Sequence, residues 1–342
     1  MAAGERTLIL AEGFSADPHY GKTMRGVMRY RRDDVVAVLD STRAGGTDAG
    51  VPVVGDVQGA LAFGPEVAIV GVATQGGRFP PAWRDILRTC IANGLSIENG
   101  LHELLADDPE LRALADAAGV ELRDLRRPPG GLDCATGANL EVDARIVLTV
   151  GSDCAIGKMT VSLELDRAAR ERGVASLFVP TGQTGIAIAG WGIAVDAVVA
   201  DFISGAAERL VIDGHRRGGD LLWVEGQGSL VHPAYSGVTL GLYHGSVPHV
   251  LVLCHRVGST EIEGSPGHPI PPLGELVELH ERVALPRRPA RVVALALNTA
   301  GLGDREAREA VAAASDETGL PAADPVREGA DALLDAVLAT FP

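Results

Sequence analysis

The chain is short of positive charge. Its 30 Lys and Arg against 45 Asp and Glu leave a net charge of −15. Nucleic acid and anionic membranes both want a basic face, so neither is expected as a partner. A local basic pocket for phosphates is compatible with that balance. No apolar segment approaches transmembrane length, and no basic stretch followed by a long apolar run opens the sequence. Cysteine is sparse as well. Cys90, Cys134, Cys154 and Cys254 are scattered without Cys-x2-Cys spacing, which speaks against a zinc site or a disulfide framework and for reduced thiols in a cytoplasmic protein. Internal repeats and low-complexity segments are absent. What is present is ordinary globular composition, 46% hydrophobic and 22% charged, over 342 residues, enough for two domains each with a core.

Gly151-Ser-Asp-Cys-Ala-Ile-Gly-Lys-Met-Thr160 is the most informative stretch. Gly151, Gly157 and Lys158 have the spacing of a phosphate-binding loop, Gly-x4-Gly-Lys, but Met159 stands where Ser or Thr is usual and Thr160 follows it. The apolar run from Arg145 to Val150 predicts a buried strand before the loop. From Lys158 to Arg172 good helix formers follow, with Val161, Leu165 and Ala168 at helical spacing and Gly173 as a stop. Strand, glycine loop and helix let backbone N–H groups and the helix N-terminus converge on an anion, with Lys158 supplying a full charge. The expected cofactor contacts are therefore Gly151, Ser152, Asp153, Cys154, Ala155, Ile156, Gly157, Lys158, Met159 and Thr160. A thioether is a poor magnesium ligand, so Thr160 would have to serve in place of Met159, or the loop binds a diphosphate without metal. Cys154 is either a small residue that fits the loop or an oxidation-sensitive one.

The whole reads as α/β: an N-terminal Rossmann-like parallel sheet over residues 1–135 and a C-terminal P-loop NTPase-like parallel sheet over 136–342, joined near Arg127-Pro-Pro-Gly-Gly131. In the first half, residues 7–11, 35–39 and 67–72 read as buried strands and 83–93 as a helix. Gly21-Lys22-Thr23 lacks the upstream glycine of a second phosphate loop and reads as a helix start. The order of elements from Val51 to His102 resembles the CoA-binding domain of succinyl-CoA ligase.

Downstream of the loop, strand 175–179 leads into Pro180-Thr-Gly-Gln-Thr-Gly185, a polar turn at a strand's carboxyl end, where open α/β sheets bind ligands. Thr181, Gln183 and Thr184 are its candidate substrate contacts, with Gln227 and Tyr235 further on. Leu221-Leu-Trp-Val-Glu225 and Val198-Val-Ala-Asp201 each place an acid after an apolar run, the second half of a phosphate-loop site, so Glu225, Asp201 and Thr160 form the expected metal set. Lys158, Glu225 and His232 are the catalytic candidates, His232 as a base near neutral pH. Asn298, ending the run from Arg291, is either a reader of a nucleotide base or a strand-end cap. Residues 304–318 and 328–338 read as packing helices.

With its Gly-Ser-Asp loop and Val224-Glu-Gly-Gln-Gly228, the second half resembles dethiobiotin synthetase. Nearly the whole chain is similar to a two-domain P-loop family of formerly unknown function that includes a D-glutamate N-acetyltransferase. The matching stretches are 151–160, 180–185, 195–202, 226–230 and 232–235, and Gly-Lys-Met-Thr is that family's own variant of the loop. The second resemblance implies an enzyme that acetylates the amino group of a small acidic amino acid with acetyl-CoA; a cytoplasmic homo-oligomer is the separate expectation. The first implies ATP and Mg2+ activating a carboxylate or carbamate. A nucleotide sensor is the third reading, and whether the loop holds ATP or the CoA diphosphate stays open.

Overall fold

The computed structural model describes residues 4–17 and 20–341, the side chain of Gln75 apart. It divides into two compact units, residues 1–128 with 182–197, and residues 129–181 with 198–342. The chain thus leaves the second unit after Thr181, contributes one excursion to the first, and returns at Val198.

The first unit holds strands β1 (Thr7–Leu10), β2 (Val35–Leu39), β3 (Thr47–Asp48), β4 (Val51–Val54), β5 (Val67–Val70), β6 (Ser96–Asn99) and β7 (Leu122–Asp124). They are ordered β3-β4-β2-β1-β5-β6-β7. All neighbours are parallel except β3 and β4. Setting β3 aside, the third, second, first, fourth, fifth and sixth strands lie side by side, the Rossmann order. Parallel strands need crossovers, supplied here by α1 (Lys22–Tyr30), α2 (Val57–Leu61), α3 (Trp83–Ala92) and α4 (Pro109–Ala118). The runs expected as strands at 7–11, 35–39 and 67–72 are β1, β2 and β5, and Lys22 opens α1 as expected. Gly21 is required there, because a Cβ would lie 2.7 Å from the Asp17 carbonyl oxygen.

The second unit begins with β8 (Arg145–Gly151), α5 (Lys158–Glu171) and β9 (Ser176–Val179). Helix α6 (Gln183–Ala189) lies in the excursion. There follow α7 (Ile203–Arg216), β10 (Leu221–Val224), α8 (Ser236–Ser246), β11 (Val250–Arg256), α9 (Leu273–Arg282), β12 (Arg291–Asn298), α10 (Asp304–Thr318), β13 (Ala322–Ala323) and α11 (Asp331–Leu338). The parallel sheet runs β13-β12-β11-β8-β10-β9. Strand order reverses at β8, so the carboxyl end of β8 is the switch point where such sheets form their crevice. Ile146, Val147, Leu148 and Val150 of β8 are buried, as expected of a strand covered on both faces. The segment entering this unit is clamped by the buried Glu208 carboxylate, which accepts backbone N–H bonds from Thr136, Gly137 and Ala138. Among the described residues no helix is long and apolar enough to cross a membrane.

Two local expectations are corrected. The stretch 180–185 is not a free polar turn: Gly182 caps α6, and Thr184, Gly185, Ile186 and Ala187 are buried. The apolar residues after the glycines drive that helix into the first unit, where the Thr184 hydroxyl meets that of Thr23 at 3.0 Å. Asp201 does not end a strand. It is exposed in a short 3-10 turn, Ala200–Phe202, that leads into α7.

Candidate functional site

The site grows from the carboxyl end of β8 and the start of α5. Gly151 permits the loop to fold back on itself, since a Cβ there would lie 2.7 Å from Ile156 Cδ1 and 3.3 Å from Lys158 Cδ. Gly157, at φ +117°, makes the left-handed turn into the helix. Lys158 is buried, and its Nζ donates to the Asp153 carbonyl oxygen at 2.6 Å. The ammonium therefore lies across the loop's own backbone. Burial pushes its pKa down, opposed by acidic groups around it, Asp153 and Glu225 among them.

Asp153 is buried, and its Oδ1 accepts the Cys154 N–H at 2.6 Å while Oδ2 accepts the Glu263 N–H at 2.8 Å. The Ser152 hydroxyl meets His255 Nδ1 at 2.9 Å. Asn298 donates from Nδ2 to the Ile156 carbonyl at 3.0 Å and accepts the Ala300 N–H at Oδ1. Its amide anchors the loop and caps the strand end.

Thr149 went unnoticed in the sequence. Its buried hydroxyl accepts the Gly226 N–H at 3.0 Å and pairs with the Ser162 hydroxyl at 3.0 Å. One side chain thus ties β8 to α5 and to the end of β10. No motif marks it, because a threonine inside an apolar run reads as ordinary strand filling.

At the end of β10, Glu225 is buried, accepts the Thr181 N–H at Oε2 (2.9 Å), and has its carbonyl bonded by the Thr181 hydroxyl (2.6 Å). Gln227 Nε2 donates to that same hydroxyl at 3.2 Å. Gly226 allows this close approach: a Cβ would lie 1.8 Å from the Thr149 carbonyl oxygen. Thr181, Glu225 and Gln227 are thus brought together in the second unit, whereas Gln183 and Thr184 belong to the first.

His232 is buried, with its ring 4.5 Å from that of Tyr235, which is 52% exposed. The Ala234 N–H donates to His232 Nδ1 at 3.1 Å. That nitrogen carries no proton, so the neutral ring holds its proton on Nε2 and presents a donor there. A general base needs a lone pair at that position.

The three residues expected to hold magnesium are not brought together as a set. Thr160 lies 100° further round α5 than the usual hydroxyl position, a consequence of 3.6 residues per turn. Asp201 is exposed in its 3-10 turn, apart from the buried strand end that carries Glu225. Among the described residues, Asp153, Cys154 and His232 are the group of three His, Cys, Asp or Glu residues whose ligand atoms all lie within 4.8 Å of one another, and it includes neither Glu225 nor Asp201. That trio suits a cation poorly. Both Asp153 oxygens accept backbone N–H bonds, His232 shows a donor, and Lys158 brings positive charge.

The DUF1611_C P-loop domain matches residues 133–334, and the DUF1611_N Rossmann-like domain residues 39–128; both are described as domains of unknown function. A D-glutamate N-acetyltransferase from Tritonibacter scottomollicae is 37% identical over 98% of this chain and 99% of its own. Another protein of that name, from a Pseudoalteromonas species, is 38% identical over 80% of this chain and 82% of its own. The crystal structure of a DUF1611 family protein from Anabaena variabilis is 44% identical and superposes with a TM-score of 0.92, covering 98% of this chain and 99% of that one. With its Rossmann-like and P-loop domains in place and the match running nearly end to end, this chain belongs to the DUF1611 family.

Proposed function

We propose that the protein transfers an acetyl group from acetyl-CoA to the α-amino group of a small acidic amino acid, with D-glutamate as the first acceptor to test. The observation that carries this reading is the match along almost the whole chain to a relative named for that activity. In the reaction the acceptor ammonium loses a proton, its nitrogen attacks the thioester carbonyl, the C–S bond breaks, and CoA leaves as the thiol.

The residues on hand suit this chemistry without a metal. The loop amides, the N-terminus of α5 and Lys158 form a cradle for phosphate groups of the donor. Glu225, buried among the groups around Lys158, is the carboxylate that receives the amine proton. His232, with its proton on Nε2, acts as a donor to a negative oxygen in place of the base first expected. Gln227 and Tyr235, on the loop after β10, orient the acceptor.

The test is thiol release from acetyl-CoA in the presence of D-glutamate, L-glutamate and D-aspartate, each with and without EDTA. Acetylated product in equal amount to thiol, insensitive to EDTA, is expected. Substrate-dependent ADP formation that needs magnesium, with no acetylated product over the panel, would favour the ATP-dependent reading and overturn this one.

A further inference from the structure

We propose that Cys154 is a reactive thiol, and that its oxidation or alkylation closes the phosphate loop to the anionic ligand. The inference rests on reading that loop as the donor's phosphate site.

The four cysteines differ sharply in surroundings. Cys90 and Cys254 are buried, and burial pushes each thiol up to about 12, so both stay neutral and inert. Cys134 is exposed on the segment entering the second unit. Cys154 is half-buried inside the anion loop, just before α5. Lys158 Nζ, from the first turn of α5, lies 2.6 Å from the Asp153 carbonyl oxygen, on the peptide that leads into Cys154. His232, from the loop after β10, brings a ring nitrogen within 4.8 Å of Sγ, and with Nδ1 accepting the Ala234 N–H its ring proton is on Nε2.

Two carboxylates oppose the thiolate. Asp153 lies within the same 4.8 Å, but both its oxygens are met by backbone N–H donors. Glu225 at the end of β10 accepts the Thr181 N–H. Cys254 on β11 is neutral. The balance is a thiol beside a buried cation, a histidine donor and a helix N-terminus, the setting that favours the thiolate.

With hydrogen peroxide as oxidant, the thiolate sulfur attacks one peroxide oxygen. The S–O bond forms, the O–O bond breaks, and hydroxide leaves, so sulfur is oxidised to the sulfenic acid as the peroxide is reduced. A small thiol then forms a mixed disulfide with loss of water, and a second thiol restores Cys154 as its own disulfide forms. An added oxygen or a mixed disulfide occupies the cradle that the phosphates need.

The experiment is timed N-ethylmaleimide labelling of the full-length protein, read by peptide mass at Cys134 and Cys154 between pH 6 and 8. Inorganic pyrophosphate or acetyl-CoA is present in parallel arms. Cys154 is expected to label at least ten-fold faster than the more exposed Cys134, with a shallower rise with pH. Either ligand should slow Cys154 at least ten-fold and leave Cys134 unchanged. Peroxide should block acetyl-CoA binding, and dithiothreitol should restore it. Labelling in order of exposure, Cys134 first, would overturn the reactive thiol. Fast labelling that neither ligand slows would overturn the closure of the loop. Absence of acetyl transfer, by contrast, strikes the proposed reaction alone, because pyrophosphate protection reads the loop directly.

Discussion

Thr149→Val removes one hydroxyl and keeps the side chain's shape, which makes it the cleanest probe of how the site is held. In the native protein that hydroxyl accepts the Gly226 N–H and pairs with Ser162, and Thr149 is 1% exposed. Valine leaves the buried Gly226 N–H without its acceptor, at about 1–3 kcal/mol, and loses the Ser162 bond, at about 1 kcal/mol net. The new methyl returns about 0.8 kcal/mol of burial. The net is about 2 kcal/mol, roughly a 30-fold rise in the local opening of the loop after β10. Hydrogen exchange read by mass spectrometry on a peptide spanning Gly226 measures this directly. Exchange at Gly226 should quicken by that factor in the valine variant and stay near native in Thr149→Ser, which keeps the hydroxyl. Unchanged Gly226 exchange in Thr149→Val would refute the idea that this hydroxyl holds β8, α5 and β10 in register.

Further outcomes follow from the same geometry. Gly226→Ala puts a Cβ 1.8 Å from the Thr149 carbonyl oxygen, so denaturant titration should show a loss of about 1–3 kcal/mol together with loss of activity. Lys158→Met removes a buried ammonium whose desolvation already disfavours its charge, so stability should change by less than about 1 kcal/mol while kcat/KM falls roughly 100-fold or more. Retained kcat/KM would remove Lys158 from the chemistry. His280 is fully buried, its Nδ1 bonded to the Leu276 carbonyl, and its pKa is lowered by burial from 6.5 to about 4. Between those values the unfolded chain binds the extra proton, so this contribution is fully present above about pH 6.5 and is lost as pH falls toward 4, by up to about 3 kcal/mol. His280→Leu should flatten the stability curve over that window and leave it unchanged at pH 8.

Where local pattern and buried environment coincide, the sequence was legible. The apolar run before Gly151 is β8, the helix formers after Lys158 are α5, and Glu225 directly follows β10, buried beside Thr181. Residues 304–318 form α10 as expected, while the last helix starts only at Asp331 because Gly329 takes a left-handed φ of +87°. Gln183 and Thr184 escaped because glycine and threonine read locally as a turn, whereas Ile186 and Ala187 bury their helix in the other unit. An excursion of that kind is a property of long-range packing, which no short window contains. Thr149 and Asn298 act through backbone groups distant in sequence, and His232's tautomer depends on a single N–H two residues on. Such hydrogen bonds leave no spacing to read.

Metal-independent acetyl transfer at the phosphate loop is open to a single assay. Purified protein in EDTA, supplied with acetyl-CoA and D-glutamate, is followed for free thiol and N-acetylated product together, native against Lys158→Met. One thiol per acetylated amine in the native protein, cut at least 100-fold in the variant, is the predicted result. Equal rates in the two proteins, or thiol release without acetylated amine, would contradict it.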